Sequence, residues 1–232
     1  MRKLGLIGGM SWAATEEYYK HINRGVQKRL GTGCSAPLLI ESLNNCEMSG
    51  LTSEEQWSAA AATLIASAQR LEAAGATALM ISANSMYRVA DAVQAAIGIP
   101  LIHIIDETGK RLRADGIKSA AIIGTRNVMA ERWYRQRLVA NGVTLAPFDA
   151  EDGAELDRII YDELMQGQVT EAARRALRSI ITDIDKLEVD AIVLACTELV
   201  MIVDPDANVL PIYDTARIHA AAGVDWILGE TG

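Results

Sequence analysis

Apolar and polar positions come in alternating blocks along the 232 residues. Short apolar runs give way to longer stretches with helical periodicity, and each pair reads as a buried parallel strand followed by its crossover helix. The strand-like runs are Leu4 to Ile7, Pro37 to Glu41, residues 78–82, Pro100 to Ile105, Ala120 to Ile123, Val143 to Ala146, residues 191–195 and Val209 to Tyr213. Helical patterns run from about Ala14 to Arg29, from the Thr52–Glu55 capping-box spacing to near Gly75, from Met86 to Gly98, and from Asp106 to near Gly116. Others run from Met129 to Asn141, over 152–166 and 169–187, and from Asp214-Thr215 to the end.

Two of the strand runs repeat one another. Ala78-Leu79-Met80-Ile81-Ser82-Ala83-Asn84-Ser85-Met86 and Ala191-Ile192-Val193-Leu194-Ala195-Cys196-Thr197-Glu198-Leu199 each pass from apolar to small and polar residues, then turn helical. Gly8 to Ala83 is 75 positions and Gly124 to Cys196 is 72; Ala83 to Pro100 is 17 and Cys196 to Pro211 is 15. A repeat of this length predicts an α/β protein of two similar lobes with parallel sheets, related by a pseudo-twofold, with a cleft between them. The predicted first lobe is 1–99 with 215–232, and the second is 100–214. Ligands of open α/β sheets bind at the carboxyl ends of strands, so the breaks at Ala83 and Cys196 are the places to look for chemistry.

Composition narrows the function. A formal charge of -8, with no basic run, argues against a nucleic-acid partner. No apolar stretch approaches the roughly 20 residues of a membrane span, and the start lacks a signal-peptide pattern, so a cytoplasmic protein is expected. Cys34, Cys46 and Cys196 are odd in number and far apart, as are His21, His103 and His219. Neither a disulfide framework nor a metal site is expected. Gly8-Gly9 lacks the spacing of a dinucleotide fingerprint.

Two strand ends facing one another can place one acid/base group on each side of a small substrate. A thiol suits proton abstraction because its pKa is set by its surroundings, and the carbanion needs hydrogen-bond donors at the adjacent carboxylate. Asn84 and Ser85 in one half, with Thr125, Thr197 and Glu198 in the other, are candidates for substrate binding. The turns at Gly8-Gly9-Met10-Ser11 and Gly124-Thr125 offer backbone amides to a carboxylate, which brings in Met10. Cys46, beside Asn44 and Asn45, falls near the predicted cleft mouth and reads mainly as loop. Cys34 reads as structural. Asp106 and Asp214 read first as helix starts, where carboxylates suit the dipole, and second as site residues. His103 reads as a core histidine.

At this point the sequence resembles the aspartate/glutamate racemase family, the amino-acid racemases that work without pyridoxal phosphate. The resemblance covers nearly the whole chain. It rests on Leu6-Ile7-Gly8-Gly9-Met10-Ser11-Trp12, Asn84-Ser85-Met86 with Val89-Ala90-Asp91, Ile123-Gly124-Thr125-Arg126, Ile159-Ile160-Tyr161 with Glu163-Leu164, Cys196-Thr197-Glu198 and Asp214-Thr215. It implies two flavodoxin-like lobes, a homodimer, a small amino-acid or carboxylate substrate, and neither cofactor nor metal. It also implies a two-thiol mechanism, with Cys196 on one face of Cα. Ala83 stands at the place of the second thiol, Ser85 replaces the usual threonine, and Tyr87 replaces a histidine. Ser82, Ser85 or a water is the candidate stand-in.

The leading expectation is therefore a cofactor-independent amino-acid racemase or epimerase, one-sided or impaired at Ala83. Two alternatives remain open: a single-cysteine decarboxylase or isomerase of the same superfamily, and an inactive amino-acid-binding protein. Side-chain specificity is expected from the loops near Asn44, Asn45 and 161–168.

Overall fold

The computed structural model describes residues 1–147, 150–204 and 208–230. The chain divides into two compact units, Met1–Ile104 with His219–Gly232, and Ile105–Ile218.

In the first unit, β1 (Leu4–Gly8), β2 (Leu38–Ser42) and β3 (Ala78–Ile81) form a parallel sheet in the order β2-β1-β3. β1 and β3 are buried along their whole length, as expected of parallel strands covered by helices on both faces. The first crossover is α1 (Trp12–Leu30), capped by Ser11, whose side chain accepts from the Ala14 N–H. A short helix, α2 (Asn45–Met48), follows β2 and was not foreseen from the pattern; the Asn44 side chain caps it by accepting from Cys46 N at 3.2 Å. The next helix, α3 (Glu54–Ala73), starts one residue later than the spacing predicted. Ser53, not Thr52, is the cap, and it forms the reciprocal box with Gln56. Thr52 instead donates its backbone N–H to Gln56 Oε1 at 2.8 Å, so the Gln side chain gathers two residues at once.

Two further expectations need correction here. The helix expected from Met86 to Gly98 is a 3-10 turn over Ser85–Val89 followed by the six-residue α4 (Ala90–Ala95). The tight turn brings the Tyr87 hydroxyl back to the strand end, where it accepts from Ile81 N at 3.1 Å. The strand expected over Pro100–Ile105 is a single parallel bridge, Leu79 to Leu101. Pro100 has no N–H to give, Tyr87 and His219 take up the Ile102 carbonyl, and α5 (Ile104–Ala114) has already begun.

In the second unit, β4 (Ser119–Ile123), β5 (Thr144–Leu145), β6 (Ala191–Leu194) and β7 (Ile212–Asp214) form a parallel sheet in the order β5-β4-β6-β7. β7 begins later than the Val209 expected: Val209 is 81% exposed and Pro211 offers only its carbonyl, which accepts from Ile192 N at 2.9 Å. The helix expected over Met129–Asn141 is two helices, α6 (Arg126–Ala130) and α7 (Arg132–Ala140), because Glu131 between them is extended. The helix expected over 152–166 begins as α8 (Ala150–Arg158), widens into a π-helical turn at Ile159–Glu163, and closes as a 3-10 turn at Leu164–Gln166. Glu163 is drawn aside by Arg158 at 2.6 Å and by Thr170 Oγ1 at 2.6 Å. Thr170 in turn caps α9 (Glu171–Asp185), whose apolar side is buried. The terminal helix is α10 (Thr215–Leu228).

The two sheets follow one plan. Leu101 beside β3 holds the place that β7 holds beside β6. After β3, Ser82 N donates to Ile7 O at 2.9 Å; after β6, Ala195 N donates to Ile123 O at 2.8 Å. This register equates Ala83 with Cys196, as the spacing predicted.

Candidate active site

β6 is an uninterrupted buried run, so its backbone is fixed, and the chain turns immediately beyond Ala195 into a 3-10 turn over Thr197–Met201. The approach is close: a Cβ on Gly124, at the end of β4, would lie 3.1 Å from the Ala195 carbonyl. Cys196, Thr197 and Glu198 are all buried here, the thiol being 7% exposed. The Cys196 thiol donates to Glu198 Oε2 at 3.1 Å, and Thr197 Oγ1 donates to the same oxygen at 2.8 Å. Burial and the adjacent Glu198 carboxylate both oppose a thiolate, so the Cys196 pKa stands well above its ordinary value. At neutral pH Cys196 is a thiol with a hydrogen-bonded proton acceptor beside it.

The neighbouring groups of this unit come from the β4 turn and the π-helical turn. Thr125 precedes α6, and the Arg126 N–H donates to Asp157 Oδ1 at 2.7 Å. Tyr161 sits on the π turn, 40% exposed, and its pKa is raised by partial burial first and by the negative charge of Asp157 and Glu198. π-helical turns often mark functional sites. Tyr161 therefore joins the candidates, with Asp157 of α8, which accepts from the Arg126 N–H beside Thr125. Tyr161 lies in a motif of the family resemblance, but its place on a widened turn is one that no periodicity announces.

The equivalent turn of the first unit holds Ala83, Asn84 and Ser85. Ala83 and Asn84 are buried, Ser85 half-buried. Ser82 is completely buried, its hydroxyl within 3.2 Å of Thr15 Oγ1 and 3.4 Å of Ile7 O. It braces the strand and is removed from the candidate stand-ins for a thiol. Thr15 also accepts from Gly9 N at 2.8 Å. Met10 follows Gly9 in this turn and is buried. Gly9 has a φ of 87°, and a Cβ there would fall 2.0 Å from the Leu43 carbonyl oxygen, so the turn demands glycine.

Below Ala83 lies a buried neutral network. His219 is fully buried and its pKa is pushed down to about 3 by burial. Its Nε2 faces the Ile102 carbonyl at 2.9 Å and therefore carries the proton, which leaves Nδ1 to accept from Tyr18 at 2.8 Å. Tyr87 packs on His103 with ring centroids 4.5 Å apart. Of the other sequence candidates, Asp106 is bonded by Arg137 at 2.8 and 2.7 Å and Asp214 caps α10 through Ala216 N. Cys34 is half-buried and Cys46 exposed. Among the described residues no helix is long and apolar enough to cross a membrane.

Comparison with known proteins accords with this arrangement. Over 98% of this chain and 100% of the other, the fold superposes with a TM-score of 0.91, at 38% identity, on a Yersinia pestis protein assigned as an Asp/Glu racemase. An aspartate racemase homologue from Pyrococcus horikoshii OT3 gives a TM-score of 0.87 at 27% identity, covering 98% of this chain and 100% of that one. Over 71% of each chain, the sequence is 24% identical to the broad specificity amino-acid racemase RacX of Bacillus subtilis (strain 168). Arylmalonate decarboxylase shares the fold alone, at 16% identity and a TM-score of 0.63 over all of this chain and 94% of that one. The Asp/Glu/Hydantoin racemase family model matches residues 7–223, and the chain belongs to that family.

Proposed function

We propose that this protein is a cofactor-independent amino-acid isomerase that moves a proton at Cα with Cys196 as its acid/base. The observation that carries the reading is the buried Cys196 thiol hydrogen-bonded to Glu198 at the end of β6. In the forward half-reaction the thiol proton passes to the Glu198 carboxylate, and the resulting thiolate takes the proton from Cα. The C–H electron pair moves into the α-carboxylate, which needs hydrogen-bond donors as charge develops. Thr125, Thr197, Asn84, Ser85 and the amides around Met10 are the groups assigned to that task.

Return of the proton from Cys196 regenerates the starting enantiomer. Inversion needs a donor on the opposite face, and the internal repeat gives that position to Ala83, which has no proton to offer. Ser85 or a water is the stand-in that remains. Proton NMR in D₂O tests the reading. Incubation with L and D amino acids should wash out the Cα proton, and the product's optical rotation reports inversion. Exchange without inversion is the signature of a one-sided thiol. A chain that exchanges no Cα proton from any amino acid is not an isomerase of this kind.

The neutral, high-pKa thiol also suits protonation of a planar carbanion left by loss of CO₂ from a malonate. Release of CO₂ from an arylmalonate, with no Cα exchange in amino acids, would select that second reading.

A further inference from the structure

β2 differs from the other strands of the first sheet. β1 and β3 are buried throughout, whereas no residue of β2 is buried and Ile40 is 41% exposed. β2 also ends the sheet, with β1 as its neighbour. The Pro37 carbonyl accepts from Leu4 N at 3.1 Å, and Leu43 N donates to Gly8 O at 2.8 Å. With a period of two, the odd-numbered residues of β2 bond β1, and the N–H and C=O groups of Leu38, Ile40 and Ser42 point outward. No hydrogen bond among the described residues takes them up. Free edges are ordinarily guarded by lysine, an outward proline or a bulge. Here the register runs unbroken over five pairs, Pro37 turns its carbonyl inward, and no Lys or Arg occurs from Leu30 to Gln69. The one charge of β2, Glu41, is held by Arg70 of α3.

The face of β2 that carries Leu38, Ile40 and Ser42 continues into α1. These residues pair with Leu4, Leu6 and Gly8, and a Cβ on Gly8 would meet Thr15 of α1. Asn23 ties α1 to the entry of β2, its Oδ1 accepting from Ala36 N at 3.0 Å. Among the described residues of the first unit five large apolar side chains are exposed, and four of them, Trp12, Tyr19, Leu30 and Ile40, lie on α1 or β2.

We propose that this edge receives a second copy of the chain, β2 pairing antiparallel with the same strand of the partner about a twofold axis at Ile40. That register uses all three outward residues of each copy. Ile40 exchanges both hydrogen bonds with Ile40 of the partner subunit, and Leu38 does so with Ser42 of the partner subunit. The two Ile40 side chains then cover one another on the α1 face. Glu41 meets Leu39 of the partner subunit rather than a like charge. The family resemblance implies a homodimer without giving its face; the edge supplies one, independently of any role for Cys196.

Sedimentation velocity on the full-length chain tests the proposal. The parent should be a dimer. Ile40→Pro removes an N–H that the chain itself does not use, so the far-ultraviolet dichroism should be kept while the dimer Kd rises at least about a hundredfold. Ile40→Cys, with Cys34→Ser and Cys46→Ser, gives a reading that does not depend on how the proline variant folds. The Cα atoms of a hydrogen-bonded antiparallel pair lie about 5.5 Å apart, within disulfide reach, so mild oxidation should give a covalent dimer. Ser42→Cys in the same background should not, because the two copies of that position are offset by roughly 13 Å along the strands. A parent chain that sediments as a monomer overturns the proposal. So does a dimer that survives Ile40→Pro, or one that cross-links at Ser42→Cys as readily as at Ile40→Cys.

Discussion

The turns after β3 and β6 follow the same backbone plan and are braced by different chemistry. Behind Ala83 stand Tyr87 and His219, a neutral network with its protons fixed by fully buried partners. Behind Cys196 stands Glu198, a carboxylate that already accepts the thiol's proton in a hydrogen bond. Low dielectric strengthens both arrangements, but only the second sets a thiol against a carboxylate. The repeat has kept its scaffold in both halves and a thiol in one.

The sharpest way to break this comparison is to exchange the two positions. Cys196→Ala should reduce Cα exchange by about a hundredfold to ten-thousandfold, the worth of general acid–base catalysis, since no other thiol occupies the β6 turn. Ala83→Cys should leave exchange in place and add inversion, read by optical rotation. If Cys196→Ala exchanges at the parent rate, the asymmetry of the two turns has no catalytic meaning.

A second contrast separates the turns that follow β1 and β4. Gly9→Ala places a methyl against the Leu43 backbone at a positive φ, whereas a methyl on Gly124 would meet the Ala195 carbonyl at 3.1 Å, tighter than ordinary contact but with no positive φ. Gly9→Ala should cost more than about 3 kcal/mol in a denaturant melt and Gly124→Ala about 1–2 kcal/mol. Equal costs would mean that the two turns are not under different constraint.

Much of this was legible in the sequence because it is written in runs. The strands of both sheets are apolar runs ended by small residues, and counting between Gly8 and Ala83 and between Gly124 and Cys196 already aligned the two halves. Local competition was not legible. Ser53 and Thr52 are both good caps, and only the reach of Gln56 decides between them. Pro100 and the partners of the Ile102 carbonyl cut a predicted strand to one bridge. The π turn that carries Tyr161 ends at Glu163, which Arg158 and Thr170 hold from five and seven residues away, contacts that no periodicity announces. Ser82 reads in the sequence as a candidate stand-in for the missing thiol and is a buried brace in the fold.

The neutral network behind Ala83 makes a pH prediction. His219 titrates near 3 in the folded chain and at its ordinary 6.5 in the unfolded one. Below 6.5 the unfolded chain binds a proton that the folded chain refuses. Its stabilising contribution is therefore complete above pH 6.5 and is lost as pH falls toward 3, by up to about 1.4 kcal/mol per pH unit. Chemical denaturation at a series of pH values should show this slope, and His219→Gln should flatten it. Tyr87→Phe, which removes the acceptor of the Ile81 N–H, should cost about 1–3 kcal/mol at pH 7.

The charged brace behind Cys196 predicts an effect of opposite sign. The Cys196 pKa is raised in the fold by burial first and by the Glu198 charge second. An unfolded thiol ionises near about 8.5, so between that pH and the folded value the folded chain holds the extra proton. The thiol's contribution to stability is present below about 8.5 and is lost as pH rises through the folded value. Glu198→Gln removes the charge and leaves the burial. The thiolate midpoint, read from ultraviolet absorbance in a background lacking Cys34 and Cys46, should fall and still lie above that of a free thiol, because burial is the larger cause. Cα exchange should fall as well, because the amide cannot take the proton, although the variant forms thiolate more readily. A lower midpoint with faster exchange would assign Glu198 to holding the thiol inert rather than to receiving its proton, and the two turns would then differ in degree of burial rather than in kind.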